Sequence, residues 1–438
     1  MRIKQLSLEN FRSITKININ PSAINVIVGK NNSGKSSLVE AISFSFGDLN
    51  GVRLFRDRPS MLMNVFRHGS TKIEIQFDNE GYSITIEKPD VPEISLELKD
   101  RLNLLLKQFI SGEELLRRYY TGKMERDTLR DVFLKLRADS NLHMIIDSVT
   151  GANTFIGFSE SLVNQSIKLT RDSSTKLFMP FYDLIREETF TELLVDAIID
   201  ITGVNNKETS ERVRPTIHNA LSIFDRIGMS RRAYSLAEYA NVEKYFLDQS
   251  TFRRLDQNEW ANIFSNDNVV ATETQNLRIE EIIKGSKLLS NLERFSFRSI
   301  VFRNGGETHE IPFELMGDGF IALVNLLRGL IKDPKPSVVV IEEPERDLHP
   351  GYIEQFTKYL AQISKELDIQ FFITTHSEDF IKELFRLGTL DTDISEFIKE
   401  ELSVIRISKT KNLTLSSIKK FEEASLEVNE LELDLRGI

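Results

Sequence analysis

Residues Gly29-Lys30-Asn31-Asn32-Ser33-Gly34-Lys35-Ser36 spell G-x-x-x-x-G-K-S. An apolar run, Ile24 to Val28, precedes them, and Ser37-Leu38-Val39-Glu40-Ala41-Ile42 follows. A strand, a glycine loop and a helix start in that order make a phosphate cradle. The loop's backbone N–H groups and the positive end of the helix dipole converge on one point, where a triphosphate can sit. Lys35 is placed to reach the β- and γ-phosphates, and the Ser36 hydroxyl to ligate Mg²⁺. This loop constrains the chain more than any other stretch, because it demands a buried strand, a helix packed behind it and a nucleotide in front.

The flanking pattern supplies the first two. Ile24 to Val28 is continuous and apolar, as in a strand covered on both faces, and the following helix carries Leu38, Val39, Ile42, Phe44 and Phe46. Upstream, residues 2–9 alternate as a strand. Asn10-Phe11-Arg12-Ser13 breaks it, and Ile14 to Ile19 resumes with period two, predicting a hairpin. A second hairpin is predicted at 71–77 and 82–87, joined by Asp78-Asn79-Glu80-Gly81. A membrane helix needs about 18 consecutive apolar residues, and no such run exists. The N-terminus enters a strand at once rather than reading as a signal peptide, and the absence of cysteine excludes disulfides and thiolate chemistry, so a cytoplasmic setting is expected. A net charge of −10 argues against indiscriminate coating of nucleic acid. Basic clusters at Arg53/Arg56/Arg58, Arg117/Arg118/Lys123/Arg126/Arg130 and Arg231/Arg232 each read as solvated surface.

Residues 91–290 have helical spacing at Leu96 to Ile110, Glu113 to Tyr120, Arg126 to Leu136, Thr189 to Ile201 and Thr209 to Phe224, with short strands expected at His143 to Val149 and Thr154 to Phe158. Heptads are not sustained, so no long coiled coil is encoded. A third hairpin is predicted around Asn304-Gly305-Gly306, and Gly317-Asp318-Gly319 stands before an apolar helix at Phe320 to Leu327.

The chemistry-bearing partner of the loop comes next. Ser337 to Ile341 reads as a buried parallel strand that ends in Glu342-Glu343-Pro344-Glu345. Adjacent carboxylates at such a strand end are costly unless they hold a metal or act on water, and ligands of open α/β sheets sit at those ends. One carboxylate can hold Mg²⁺ and the next can deprotonate an attacking water. Ile353 to Leu367 is amphipathic, and a further strand, Ile369 to Ile373, ends in Thr374-Thr375-His376-Ser377.

Taken in order, these residues resemble an ABC-type ATPase head of the SMC-like and OLD-like branch. Gly29 to Ser36 is similar to its Walker A loop, Val338 to Glu343 to Walker B, Glu345 to His349 to the D-loop, and His376 to the switch histidine. Asn10 to Ser13 resembles the motif near the nucleotide base, and Gly317 to Gly319 stands in place of the signature that contacts ATP held by another subunit. Two departures are visible: Glu342 replaces the usual Asp, and Gly317 replaces the signature serine. No Q-loop can be assigned, although Gln76 and Gln108 are candidates.

The resemblance implies an α/β fold, an ABC-type P-loop NTPase head with an antiparallel β subdomain and a mostly helical insertion. The lobes are expected at 1–90 and 291–438, with the insertion at 91–290. It implies ATP and Mg²⁺ as cofactors and ATP hydrolysis as the activity. Gly29, Asn31, Asn32, Ser33, Gly34, Lys35, Ser36, Ser37, Arg12 and Ser13 would bind ATP, and Ser36 and Glu342 the metal. Glu343 would be the base, with His376 and Lys35 on the phosphate, and Gly317, Asp318 and Gly319 would act in trans. The expected assembly is a homodimer with ATP at its interface, controlling a separate effector in a defence or toxin-regulating system such as the PARIS type. An SMC-like DNA-associated ATPase and a non-hydrolysing ATP-binding scaffold are the alternatives.

Overall fold

The computed structural model describes residues 1–47, 70–111, 123–163, 167–172, 175–179, 188–202, 214–221, 245–255, 273–285, 291–296, 298–330, 336–347, 351, 353–390, 392–410 and 414–429. The basic clusters at 53–58 and 231–232, and the helix expected at 113–120, lie outside them. The chain divides into two compact units: Met1–Gly51, Val65–Ile84 and Phe246–Ile438 in the first, Val52–Asn64 and Thr85–Tyr245 in the second. In chain order the strands begin with β1 (Gln5–Phe11), β2 (Ile14–Ile19), β3 (Ile24–Val28), β4 (Ser70–Gln76), β5 (Gly81–Glu87), β6 (Ile167–Arg171) and β7 (Thr175–Met179). They continue with β8 (Phe252–Leu255), β9 (Leu292–Phe295), β10 (Ser299–Asn304), β11 (Glu307–Pro312), β12 (Val338–Glu342), β13 (Gln370–Thr374), β14 (Leu402–Lys409) and β15 (Thr414–Lys420).

The first unit is built on a sheet in the order β15-β14-β3-β13-β12-β8. From β14 to β8 every pairing is parallel, and only β15 runs antiparallel to its neighbour. All five residues of β3 and of β13 are buried, as are the first four of β12. Such runs, buried on both faces and mostly apolar, suit a sheet sandwiched by helices. Helix α1 (Lys35–Ser45) follows β3, and the helix Ile353–Leu367 links β12 to β13 as a parallel crossover. That helix buries Ile353, Phe356, Leu360 and Ile363, the face its periodicity predicts, in one core with Ile24, Val26, Ile341 and Phe371.

Two further sheets belong to this unit. β2, β1, β4 and β5 are antiparallel neighbours, with Phe11 opposite Ile14 at the first hairpin and Leu6 opposite Ile75 across the next pair. β11-β10-β9 is the predicted third hairpin plus one strand, closed where Asn304 faces Glu307. Three strands of this unit stand where the sequence does not announce them. β8 lies inside the stretch read as mostly helical, and β14 and β15 come after the last recognised motif.

The second unit packs the helices Val91–Ser111, Lys123–Leu136, Asp139–Thr150, Asn153–Val163 and Glu188–Thr202 round Leu102, Leu106, Phe109, Phe133, Ile145 and Ile198. It also carries the antiparallel pair β6–β7, whose Lys168 ion-pairs with Glu87 and Glu93. The strands expected at His143 to Val149 and Thr154 to Phe158 are helices. Leu142, Ile145, Ile146 and Val149 are all buried at i, i+3, i+4 and i+7 spacing, a helical stripe that outweighs the β-branched propensity of Ile145, Ile146 and Val149.

Candidate functional site

The site begins where β3 ends. Gly29 has φ +150° and Gly34 φ +119°, and Asn32 between them is also left-handed at φ +61°. A Cβ on Gly29 would stand 2.1 Å from the backbone oxygen of Ile407 on β14 and 2.7 Å from Ser33 Oγ. The loop therefore closes against β14 with room only for hydrogen. Gly34 caps α1 without any side-chain hydrogen bond, so the first-turn N–H groups of that helix have no capping side chain.

Lys35 is buried at 7% exposure, and its ammonium donates to the carbonyls of Gly29 at 2.7 Å and Lys30 at 3.1 Å. Burial pulls its pKa below the ordinary lysine value, and the Glu343 charge opposes that pull. Ser33 is 3% exposed, and its Oγ lacks a hydrogen-bond partner. Asn31, Asn32 and Ser36 are exposed around this cradle. Ser13 Oγ lies 2.8 Å from Ser37 Oγ, which ties the first hairpin to α1. Arg12, left-handed at φ +51°, ion-pairs with Glu40 of α1.

The second half of the site is made by the ends of β12 and β13. Register pairs Glu342 with Thr374, so the residues after both strands leave the sheet together. Glu343 adopts φ +47° and donates its N–H to the Thr374 carbonyl at 2.9 Å. A left-handed glutamate costs of order 1–2 kcal/mol, and that backbone bond helps to hold it. Its Oε1 stands 3.6 Å from His376 Nε2, within ion-pair range and beyond a hydrogen bond. Because β13 lies between β3 and β12, the loop and the carboxylates emerge from the same end of one parallel sheet.

Two residues outside the expected catalytic, ATP-binding and metal set are bound into this cluster. Glu345 Oε1 accepts from Thr375 Oγ1 and from the His376 N–H, each at 2.8 Å, and its Oε2 is buried without a partner. It thereby fixes the backbone that carries the histidine. Arg254 of β8 bonds Glu342 Oε1 through Nε at 2.9 Å and through Nη2 at 2.7 Å. The fourth residue of Glu-Glu-Pro-Glu marks Glu345 in the sequence, whereas Arg254 is visible only once β8 is known to lie beside β12.

Gly317 is exposed just ahead of the helix Asp318–Leu330, and its carbonyl accepts from the Phe320 N–H at 2.9 Å. This segment follows the three-stranded sheet rather than either strand end of the phosphate site. Gln76 ends β4 and bonds the neighbouring Phe77 carbonyl.

The cradle suits a polyphosphate. It has unsatisfied helix N–H groups, a buried ammonium and an orphaned buried hydroxyl, and at Gly29 the chain cannot accept a side chain. The donors available to Mg²⁺ are hard oxygens, Ser36 and Glu342. Among the described residues no group of three or more His, Asp or Glu forms a metal cage. A magnesium ion held by few protein ligands and by phosphate oxygens asks for none.

Residues 1–381 match the family described as AAA ATPase domain. The chain belongs to that family. Its glycine loop and parallel α/β sheet are those of a P-loop ATPase, and its ordered motifs are similar to those of SMC-like, ABC-type heads. Over 100 residues it is 34% identical to the DNA replication and repair protein RecF of Idiomarina loihiensis, a match covering 22% of this chain and 26% of that one. Over 99 residues it is 36% identical to structural maintenance of chromosomes protein 3 of Dictyostelium discoideum, covering 20% of this chain and 7% of the relative. The chain thus spans about a quarter or less of the curated relatives it matches. The SMC head domain from Thermotoga maritima aligns over 96% of this chain and 99% of its own, at 16% identity and a TM-score of 0.44. No helix among the described residues is long and apolar enough to cross a membrane.

Proposed function

We propose that this AAA ATPase domain protein is a Mg²⁺-dependent ATP hydrolase acting as a nucleotide-driven switch. The observation that carries the reading is Glu343 beside His376 at the strand ends that flank the Lys35 cradle. In this reading Gly29 to Ser37 hold the phosphates, with Arg12 and Ser13 beside α1. Lys35 gives up its contacts to its own loop carbonyls for the β- and γ-phosphates. Ser36 and Glu342 hold Mg²⁺, which when bound neutralises phosphate charge. Glu343 Oε1 takes the proton of the attacking water, and His376 Nε2 senses the γ-phosphate. Gly317, Asp318 and Gly319 complete the site of a second copy, so ATP closes a homodimer and hydrolysis opens it.

The switch controls a separate effector, with the second unit as the sensing surface. A DNA-associated role is the second reading, favoured by the names of the two curated relatives, a DNA replication and repair protein and a structural maintenance of chromosomes protein. Glu343→Gln tests the mechanism: it should retain ATP binding, abolish phosphate release and trap an ATP-bound dimer. Unchanged turnover in that variant refutes the assignment. Stimulation of the wild-type rate by duplex or single-stranded DNA favours the second reading, and indifference to DNA favours the effector switch.

A further inference from the structure

The carboxylate assigned to Mg²⁺ already carries a cation. Arg254 stands opposite Val340 in the parallel ladder of β8 and β12, and Glu342 lies two residues beyond Val340. Side chains alternate with period two, so Val340 and Glu342 share one face of the sheet, and two residues of strand span about 6.6 Å, within the reach of an extended arginine. The guanidinium lies along the strand end and sets Nε and Nη2 on the single oxygen Glu342 Oε1, at 2.9 and 2.7 Å. Both partners are well shielded, with Arg254 at 21% and Glu342 at 18% side-chain exposure. A second guanidinium, that of Arg12, is disfavoured in its protonated form first by burial and then by the nearby Arg254 charge. Arg254 thus has a like charge near it and a carboxylate holding it in place.

We propose that Arg254 is the resident counter-ion of Glu342 and competes with Mg²⁺ for that carboxylate, so that it sets the Mg²⁺ concentration at which the site loads. The inference rests on the ATP-site reading above. Two cations compete for the charge of one carboxylate, and at this depth their interactions with it are little screened by water. The nucleotide brings the anionic charge that can take the guanidinium over. Loading is then an exchange of ion pairs, and the occupancy of Glu342 by Arg254 raises the Mg²⁺ requirement of the nucleotide-free protein. A purely architectural bridge between β8 and β12 predicts no such shift.

The test uses the full chain and a fluorescent non-hydrolysable ATP analogue, with Mg²⁺ titrated at fixed nucleotide in wild type, Arg254→Met and Arg254→Lys. Arg254→Met should lower the half-saturating Mg²⁺ about fivefold, the ratio for a competing pair of about 1 kcal/mol. Arg254→Lys, which keeps the charge without the fork, should fall between it and wild type. Analogue affinity in EDTA should stay within about twofold, as expected if the arginine acts on the metal rather than on the nucleotide. Circular dichroism establishes folding, and if Arg254→Met does not fold, Arg254→Lys and Arg254→Gln carry the comparison. Mn²⁺ binding followed by paramagnetic resonance reads the same shift without nucleotide. An unchanged or raised Mg²⁺ midpoint in folded variants overturns the proposal. A wild type that binds no analogue at any Mg²⁺ concentration overturns the ATP-site reading instead.

Discussion

Replacing Gly29 by alanine should damage both the fold and the site, by an amount the geometry allows to be worked out. The added Cβ would meet the Ile407 carbonyl oxygen at 2.1 Å, short of ordinary contact by about 1.3 Å, and that atom belongs to backbone in β14. β14 is fixed to β3 by parallel pairing from Ile24–Leu402 to Val28–Arg406, so relief requires the two strands to part at their ends. Overpacking of this kind costs about 1–3 kcal/mol, and a β-carbon at positive φ adds about 1–2. The expected loss is therefore about 2–5 kcal/mol, a large share of the 5–15 typical of a domain. Gly34→Ala is the internal comparison. Its Cβ would meet only side-chain atoms, Ser13 Oγ at 3.2 Å and Ile14 Cγ1 at 3.3 Å, which can shift. It should cost about 1–2 kcal/mol, mostly backbone strain. Urea denaturation followed by circular dichroism measures both, and analogue binding reads the damage to the cradle. Ile407→Ala should not rescue Gly29→Ala, because the obstruction is a main-chain oxygen. If Gly29→Ala is as mild as Gly34→Ala, or is rescued at Ile407, the account of the loop closing on β14 is wrong.

Glu345→Ala should lower kcat about tenfold or more while KM stays within about threefold, because it frees the His376 backbone without touching the cradle, and Glu345→Gln, which keeps an acceptor, should recover most of the loss. Steady-state kinetics decides this, and a pure KM effect counts against it. Burial holds Lys35 below the ordinary value of 10.5, and a bound polyphosphate favours its charged form. ATP binding should therefore take up a proton on the alkaline side, and affinity should fall as pH rises through the free-state value. Calorimetry at about pH 9 in buffers of different ionisation heat would show the uptake, and its absence would contradict the placement of Lys35. Phe46 is fully buried and stacks on Phe252 of β8 with ring centroids 4.9 Å apart, so Phe46→Ala should cost about 3–5 kcal/mol in the same denaturation assay. A loss below about 1 kcal/mol would mean that α1 is not anchored there.

The parts whose chemistry is local are legible in the order of residues along the chain. A glycine loop between a buried, mostly apolar strand and a helix start is suited to cradle phosphate, and both signals lie within one short stretch of chain. The two carboxylates after Val338 to Ile341 declared themselves because ionised groups at the end of a buried strand need a task. The helix Ile353–Leu367 and the hairpins at 14–19 and 304–307 were equally legible, since period and turn residues act between near neighbours in the chain. At 143–149 and 154–158 the expected strands are helices, because the buried stripe of Leu142, Ile145, Ile146 and Val149 has the helical period. Tertiary structure decided what depends on pairing between distant segments. Ile407 explains why Gly29 must be glycine, yet the two are joined only because β14 chose β3 as its neighbour. Arg254 reaches Glu342 only because β8 lies beside β12, and Glu345 finds His376 only because the ends of β12 and β13 stay in register. Strand order is set by how buried faces pack over the whole unit, and no local pattern in the chain encodes it.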